Sequence, residues 1–219
     1  MKNIAIDGPA GAGKSSIAKL VAAKLGIVYV DTGAMYRTMA LACIKDGIDI
    51  SDEAEVSRKV LAVSISIDYK DGTQHIYLGG EDVSAEIRQE EVGKAASGIA
   101  RYGDVRAKLV ALQQMLARTQ DVIMDGRDIG TVVLPDAYLK IFLTASSKVR
   151  AERRYKELLE KGEKCDIDEI EKDIIARDEQ DMNREVSPLK QAEDAVLVDT
   201  SDMSIDQVVE RIMELYDAD

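Results

Sequence analysis

One glycine-rich segment near the N-terminus has the residue types and spacing of a phosphate-binding loop. It reads Gly8-Pro9-Ala10-Gly11-Ala12-Gly13-Lys14-Ser15 and fits the pattern G-x-x-x-x-G-K-[ST]. Glycines let the backbone wrap closely around phosphates with its N–H groups pointing inward, and the start of the following helix adds partial positive charge. Lys14 would reach the β- and γ-phosphates, and the Ser15 hydroxyl would bind Mg²⁺. The segment, with Ser16, predicts a nucleoside triphosphate site.

The rest of the sequence narrows the class of protein that such a loop could serve. Signalling GTPases carry an Asn-Lys-x-Asp segment that reads guanine, and no such tetrapeptide occurs in the 219 residues. The large motor-type ATPases need a longer chain than this one. A kinase for a nucleotide or another small molecule remains, and arginines would hold its second substrate. A non-catalytic nucleotide-binding regulator stays open as an alternative from a different class.

Arginines occur in four segments that suit a second substrate. Residues 31–37 combine a hydroxyl and a guanidinium at a predicted helix start, and residues 125–128 follow a predicted strand at the edge where open α/β sheets bind ligands. Two very charged helical stretches carry further arginines with spacings that place them on single faces. These are Arg150, Arg153 and Arg154, and then Arg177, Asp181 and Arg184. Together the two faces predict a lid that closes on phosphates.

Short apolar runs alternate with helical patterns and would position these segments. Apolar residues at helical spacing predict helices over 14–25, 33–45 and 204–216, the last with a capping box at its start. Buried strands are predicted at five places: 3–7, 27–30, 121–124, 137–143 and 195–198. The alternation predicts an α/β fold, in which a P-loop parallel five-stranded sheet carries helices on both faces.

Two segments interrupt this alternation. Residues 64–83 alternate apolar and polar side chains on either side of a turn at 70–73, which predicts a small antiparallel β insertion. Residues 146–186 read as two charged helices joined near 161–162, which predicts a helical lid. Both segments lie between stretches that belong to the parallel sheet, so the chain is predicted to form a single domain with insertions.

Composition and charge argue against several other functions. The net charge of −12 disfavours non-specific binding to nucleic acid or to anionic membranes, which need a basic field. One histidine and two cysteines cannot form a His/Cys zinc cage, and Cys43 and Cys165 lack Cys-x-x-Cys spacing. No stretch approaches 18 apolar residues and no signal peptide is recognisable, so we expect a cytoplasmic protein. No sequence feature indicates a protein partner.

Four segments, in this order along the chain, resemble the bacterial cytidylate kinase family: residues 7–15, 31–37, 125–131 and 177–184. Asp-Thr-Gly-Ala-Met-Tyr-Arg at 31–37 and Asp-Gly-Arg-Asp at 125–128 are much more specific than the phosphate-binding loop. The β insertion also matches the family. The resemblance covers essentially the whole chain. It implies phosphoryl transfer from ATP to CMP, with dCMP also accepted, Mg²⁺ required and a place in pyrimidine nucleotide metabolism.

The resemblance also implies roles for individual residues. The CMP phosphate would be held by a hydroxyl and three guanidiniums: Thr32, Arg37, Arg127 and Arg184. The ribose would be contacted by Arg177 and Asp181, and cytosine would be read by Ser97, Arg106 and Asp128. The catalytic residues would be Lys14, Arg127, Asp128 and Arg184, with Arg154 as the lid arginine at ATP. The core would comprise 1–35, 104–145 and 190–219, the monophosphate-binding part 36–103 and the lid 146–189.

No general base is obvious for the acceptor, and an acceptor phosphate needs none. Its second pKa lies near 6, so at pH 7 it is already largely dianionic and can attack the γ-phosphoryl group directly. A hydroxyl acceptor would need a carboxylate base, and Asp128 could supply one. Kinases for UMP, AMP or a small hydroxylated metabolite therefore stay open as alternatives on the same fold.

Overall fold

The computed structural model describes residues 1–70 and 72–218, which divide into two compact units. The first unit contains Met1–Tyr29 and the chain from Gln120 onward, and the second contains Val30–Thr119. The phosphate-binding loop and residues 125–128 therefore belong to the first unit. Residues 32–37 belong to the second.

Strands and helices alternate along the chain. In order they are β1 (Ile4–Asp7), α1 (Lys14–Leu25), β2 (Val28–Asp31), α2 (Thr32–Lys45), α3 (Glu53–Ala62), β3 (Ile65–Lys70), β4 (Thr73–Leu78), β5 (Glu81–Asp82), a 3₁₀ turn (Glu86–Arg88), α4 (Glu90–Ile99), α5 (Gly103–Thr119), β6 (Val122–Gly126), a π-helical turn (Ile129–Val133), β7 (Leu139–Thr144), α6 (Ser147–Glu160), α7 (Ile167–Asn183), β8 (Val196–Asp199) and α8 (Ile205–Asp217). Among the described residues, no helix combines the length and the apolar character needed to cross a membrane.

A five-stranded sheet organises the first unit, with the strand order β2-β6-β1-β7-β8. The central strand β1 is parallel to both of its neighbours, and Asp7 is in register with Gly126 of β6 and Phe142 of β7. The carboxyl ends of these three strands therefore reach the same edge, where ligands bind in sheets of this kind. The predicted α/β fold and its five strands are confirmed, with strand ends that differ by one or two residues.

The core of the first unit explains why its helices form where they do. Ile4 and Ile6 of β1 are fully buried and belong to a cluster that also contains Ile17 and Val21 of α1 and Ile212 of α8. Left-handed glycines bound α1 on both sides, so this helix has its predicted bounds. The predicted capping box is present at the start of α8, where Ser204 and Gln207 each accept the other's backbone N–H.

The two predicted charged helices of the lid are present as α6 and α7, joined by a turn at Gly162. Arg184 directly follows the last residue of α7, and its guanidinium lies 3.8 Å from Oδ1 of Asp181 one turn earlier, which agrees with the predicted shared side of the helix. Its backbone is extended, with φ of −65° and ψ of 142°. Its Nε donates to the carbonyl oxygen of Ser187 at 2.5 Å.

The second unit contains the predicted β insertion. β3 and β4 form an antiparallel pair from Ile65 opposite Leu78 to Lys70 opposite Thr73, and the short β5 adds a third strand that the sequence pattern did not predict. Asp71 of the predicted turn lies outside the described residues. Helix α2 packs against α4 and β4, which joins the small sheet to the helices of this unit.

Candidate active site

The phosphate-binding loop begins at a position that only glycine can occupy. Gly8 has a φ of +146°, a conformation that residues with a Cβ rarely adopt. A Cβ there would lie 1.9 Å from the carbonyl oxygen of Leu143 in β7. The loop then enters α1 through Gly13, which also has a left-handed backbone. The loop can therefore approach β7 this closely only because Gly8 has no side chain.

Lys14, the predicted catalytic lysine, is buried within this loop. Its Nζ donates to the carbonyl oxygen of Pro9 at 2.7 Å, so the ammonium lies over the loop itself. Burial and then the charge of the Arg127 guanidinium lower the pKa of Lys14 to about 7. Phosphate groups in the loop would favour the charged form of the lysine and raise this pKa.

The Ser15 hydroxyl is oriented by a carboxylate from the neighbouring strand. It donates to Oδ2 of Asp125, the fourth residue of β6, at 2.8 Å. The Tyr29 hydroxyl donates to Oδ1 of the same carboxylate at 2.8 Å, so both oxygens of Asp125 are held. Sequence reasoning quoted Asp125 in a motif but gave it no role. The available signal was an aspartate at the carboxyl end of a buried strand beside the loop.

A cavity of about 640 Å³ opens beside the loop within the first unit. It is lined by the predicted ATP residues 11–16, by α6 arginines including Arg154, and by the stretch from Thr200 to the start of α8, with Met203 and Ile205. The mixture of backbone N–H groups, guanidiniums and apolar side chains suits a ligand with both phosphates and a flat apolar part.

The three predicted lid arginines differ in their contacts. Arg150 is buried and donates to the carbonyl oxygen of Ala10 at 2.8 Å and to Asp178 of α7 at 2.5 Å. Arg153 donates to the backbone carbonyl of Thr200 at 2.7 Å. Arg154 is partly exposed and pairs with Glu157 on its own helix. Arg154 thus lines the cavity and pairs within its own helix, whereas Arg150 joins the loop to both lid helices.

Four predicted acceptor residues come together in the first unit as the Asp181 cluster: Arg127, Asp128, Asp181 and Arg184. Arg127 Nε donates to Asp181 Oδ2 at 2.7 Å. Arg184 lies between two carboxylates, 3.8 Å from Asp181 Oδ1 and 3.7 Å from Asp128 Oδ1. None of the four side chains is more than 19% exposed. The cluster holds two guanidiniums in a shielded, charge-balanced arrangement.

The arginines around Asp181 change the pKa of its carboxyl group. Burial is the largest single influence and would raise that pKa, but the charge and the hydrogen bond of Arg127 and the charges of Arg177 and Arg184 together outweigh it and hold the pKa of Asp181 below its usual value. Arg177 itself is exposed on α7, one turn before Asp181. The carboxylate is therefore ionised at neutral pH and attracts all three arginines.

The second unit contains a separate group, the Asp31 cluster, formed by Asp31, Arg37 and Arg88. Asp31 caps α2 by accepting the Ala34 N–H at 2.8 Å. Its Oδ2 also pairs with Arg37 at 3.2 Å and with Arg88 at 3.1 Å. The predicted phosphate residue Thr32 is buried in the first turn of the same helix. Sequence reasoning missed Arg88, which lies in no motif.

The two remaining predicted cytosine residues also lie in the second unit. Ser97 is partly buried on α4. Arg106 on α5 is buried, donates to the carbonyl oxygen of Ala100 at 3.2 Å and has its guanidinium 5.6 Å from the ring centre of Tyr36. A buried guanidinium over a ring is held at a fixed angle, which suits recognition of a planar group.

A parallel sheet whose central strand runs into a phosphate-binding loop, with arginines gathered in the same unit, is the arrangement of a P-loop kinase. Comparison with protein families then gives the particular family. The model described as cytidylate kinase matches residues 4–218, and the chain belongs to that family. The resemblance drawn from the four sequence segments is thereby confirmed.

Individual relatives agree with this assignment. The cytidylate kinase of Alkaliphilus oremlandii is 51% identical over 97% of this chain and 96% of its own length. That of Caldicellulosiruptor bescii is 49% identical over 98% of this chain and 95% of its own. Among solved structures, a gluconokinase from Sinorhizobium meliloti 1021 covers 99% of this chain and 91% of its own, with a TM-score of 0.51 at 16% identity. That likeness supports the fold alone.

Proposed function

We propose that this protein transfers the γ-phosphoryl group of ATP to CMP, giving ADP and CDP, and that it also accepts dCMP. The observation that carries the proposal is the match of the cytidylate kinase family over residues 4–218. The intact loop lysine Lys14 and the acceptor arginines Arg37, Arg127 and Arg184 support it, because a regulator without activity could lose them. An ATP-dependent kinase is therefore favoured over a nucleotide-binding regulator.

On the donor side, we propose that the loop residues Gly8–Ser16 and Arg154 bind ATP. The oxygens of Ser15 and Asp125 fit a Mg²⁺ ion, which takes oxygen ligands and is commonly held by one or two protein groups plus phosphates. Within residues 1–70 and 72–218, no cluster of three acidic, histidine or cysteine side chains offers a complete metal site, in keeping with a metal that enters with the nucleotide. When bound, Mg²⁺ would neutralise charge on the β- and γ-phosphates.

On the acceptor side, the proposed roles follow the family resemblance residue by residue. Thr32, Arg37, Arg127 and Arg184 would hold the CMP phosphate, and Arg177 and Asp181 the ribose. Ser97, Arg106 and Asp128 would read cytosine, because a carboxylate and a hydroxyl suit the amino donor and a guanidinium suits the acceptors of that base. Uracil presents an acceptor where cytosine presents the amino group, so Asp128 should disfavour it.

The reaction then depends on positioning and charge neutralisation. The dianionic CMP phosphate attacks the γ-phosphorus, the bond to the β-phosphate oxygen breaks, and no proton transfer from the acceptor is needed. Lys14 and the acceptor arginines would neutralise the charge that builds up between the two nucleotides. Asp128 would act in recognition rather than as a base.

A coupled assay of ADP release over a panel of monophosphates tests the proposal. We expect CMP and dCMP to give the highest kcat/KM, with CDP or dCDP formed in equal amount to ADP. A higher kcat/KM for UMP or AMP would instead make the protein a kinase for that acceptor. No release of ADP with any monophosphate would reduce it to a nucleotide-binding protein.

We also propose that the protein works in the cytoplasm on small-molecule substrates, without nucleic acid, membrane or protein partners. Its net charge of −12 supports the first two exclusions, since both surfaces favour basic proteins. Cys43 and Cys165, which are both free thiols, suit a reducing compartment.

A further inference from the structure

Asp7 is a buried carboxylate to which the reaction described above gives no role. It ends β1 immediately before the phosphate-binding loop and is 4% exposed. Its Oδ1 accepts the backbone N–H of Ile129 at 2.7 Å, and its Oδ2 accepts that of Gly130 at 2.7 Å. Both oxygens are thus bound by consecutive backbone donors from a segment more than a hundred residues away in the chain.

The two N–H groups belong to the first two residues of the π-helical turn that directly follows Asp128. The first N–H groups of any helix have no partner within the helix, and Asp7 supplies partners for two of them. The carbonyl oxygen of Asp128 accepts from Val132 at 2.9 Å and from Val133 at 3.2 Å, which closes the turn. Asp7 and the Asp128 backbone therefore hold the same turn. π-Helical turns are rare in proteins overall, but those that occur frequently lie at functional sites.

Gly130 lies between Asp7 and the aliphatic stem of Lys140. A Cβ on Gly130 would lie 3.4 Å from Asp7 Oδ2 and 3.2 Å from Cδ of Lys140. Lys140 is itself buried, and its ammonium pairs with Asp194 at 2.7 Å, so its aliphatic stem is held in place. The turn consequently lies between a fixed carboxylate and a fixed hydrocarbon chain.

Asparagine in place of Asp7 would not reproduce these contacts. It has nearly the same volume but offers one acceptor oxygen, and its amide group would face the second backbone N–H. Burial raises the pKa of Asp7 to about 6, against the effect of the two hydrogen bonds, so a charged carboxylate is kept here at a cost in stability. Buried charge that costs stability is typical of a functional role.

We propose that Asp7 is a positioning residue, which fixes Asp128 and Arg127 through the turn that follows them and so contributes to the choice of CMP as acceptor. It acts through the backbone of residues 129–130 and not by contact with substrate. The proposal rests on the proposed function, because it assigns to Asp128 the reading of cytosine.

The test measures kcat/KM for CMP and for UMP and takes the ratio of the two values. This ratio is compared between Asp7→Asn and the wild-type enzyme. We expect this ratio to fall by about tenfold, as for the loss of a charge-assisted hydrogen bond. The same substitution in the Asp128→Ala background should leave the ratio unchanged, since the residue through which Asp7 acts is then missing. A merely structural role would lower activity with both acceptors alike.

Two further variants keep the test decisive. Asp121→Asn is the control: Asp121 Oδ1 accepts the backbone N–H of Lys2 at 2.9 Å, another hydrogen bond from a backbone N–H to a carboxylate, which lies just before β6 and away from Asp128. Its ratio should equal that of wild-type. Gly130→Ala would place a Cβ 3.2 Å from Cδ of Lys140 and so shift the turn without changing charge. It should lower the ratio by about threefold and supplies the test if Asp7→Asn does not fold.

The outcomes separate this proposal from the function on which it rests. If wild-type enzyme prefers CMP but Asp7→Asn and Gly130→Ala keep its ratio, the positioning role is wrong and the proposed function stands. If Asp7→Asn lowers the ratio of kcat/KM as much in the Asp128→Ala background as in the wild-type background, Asp7 does not act through Asp128. If wild-type enzyme prefers another monophosphate, both proposals are wrong.

Discussion

The Asp181 cluster and the Asp31 cluster hold their arginines in different ways. In the Asp181 cluster two carboxylates and two guanidiniums alternate, and no side chain is more than 19% exposed. In the Asp31 cluster one carboxylate meets two guanidiniums, of which Arg88 is 55% exposed. The first cluster is charge-balanced and shielded, whereas the second has one positive charge in excess and faces water.

Under the proposed function, this difference predicts different contributions of the two clusters to the reaction. Charge interactions are stronger where water is excluded, so substitutions in the Asp181 cluster should cost more. Guanidiniums already fixed there need no reorganisation during phosphoryl transfer, which favours an effect on kcat. An exposed positive excess attracts an anionic substrate but is screened by solvent and salt, which favours an effect on KM.

The largest effect is expected for Arg184→Ala. It removes a shielded guanidinium proposed to neutralise the transferred charge, so kcat for CMP should fall by about 10³-fold. Steady-state kinetics at saturating ATP measure it, with Arg211→Ala on the exposed face of α8 as the control. If Arg184→Ala lowers kcat less than Arg37→Ala does, the Asp31 cluster contributes more to the reaction than the Asp181 cluster, which contradicts the expectation.

Asp128→Ala should have the next largest effect, and a selective one. We expect kcat/KM for CMP to fall by about 10²-fold while that for UMP changes little, because cytosine presents an amino donor to the carboxylate and uracil does not. Lys14→Ala serves as the reference, since it should abolish turnover with every acceptor. Equal losses for all acceptors in Asp128→Ala would make Asp128 a catalytic group.

A smaller effect is expected for Arg88→Ala in the Asp31 cluster. Without Arg88, the Asp31 carboxylate and the Arg37 guanidinium that it orients are less restrained, so KM for CMP should rise by about threefold to tenfold with kcat nearly constant. Arg58→Ala, an exposed arginine of the same unit, is the control. If Arg88→Ala lowers kcat and leaves KM unchanged, the Asp31 cluster acts on kcat as the Asp181 cluster is expected to, and the two clusters do not differ in this respect.

The smallest effect concerns stability in acid. Because the pKa of Asp181 lies below its usual value in the folded protein, its ionised form stabilises the fold at neutral pH. That contribution is lost as the pH falls below about 4 and through the lowered pKa. Urea unfolding should show Asp181→Asn to be about 1 kcal/mol less stable at pH 7, with a smaller difference at pH 3. A difference that does not change with pH would mean that Asp181 acts by packing alone.

Local signals made much of the fold predictable. Helix α1 was predicted with its bounds because Gly13 and Gly26 flank a clear apolar stripe. The capping box at Ser204 and the β insertion were equally readable, since their patterns involve only neighbouring residues. The strand order β2-β6-β1-β7-β8 was not readable, because pairing between distant strands leaves no mark in one sequence.

The site was predictable where a motif is contiguous and missed where partners are far apart. The loop residues follow from their spacing, but Asp125 reaches Ser15 across 110 residues and Arg150 reaches Ala10 across 140. Arg150 reads as one of three similar lid arginines, and only the fold buries it. Ser97 and Arg106 look like ordinary helix residues and came from the family resemblance alone.

A crystal structure of the protein with CMP would show whether the Asp181 cluster holds the acceptor nucleotide. We expect the guanidiniums of Arg127 and Arg184 within about 3 Å of the CMP phosphate oxygens, and the Asp128 carboxylate at hydrogen-bond distance from the cytosine amino group. A CMP phosphate that neither arginine contacts, or a cytosine turned away from Asp128, would contradict it.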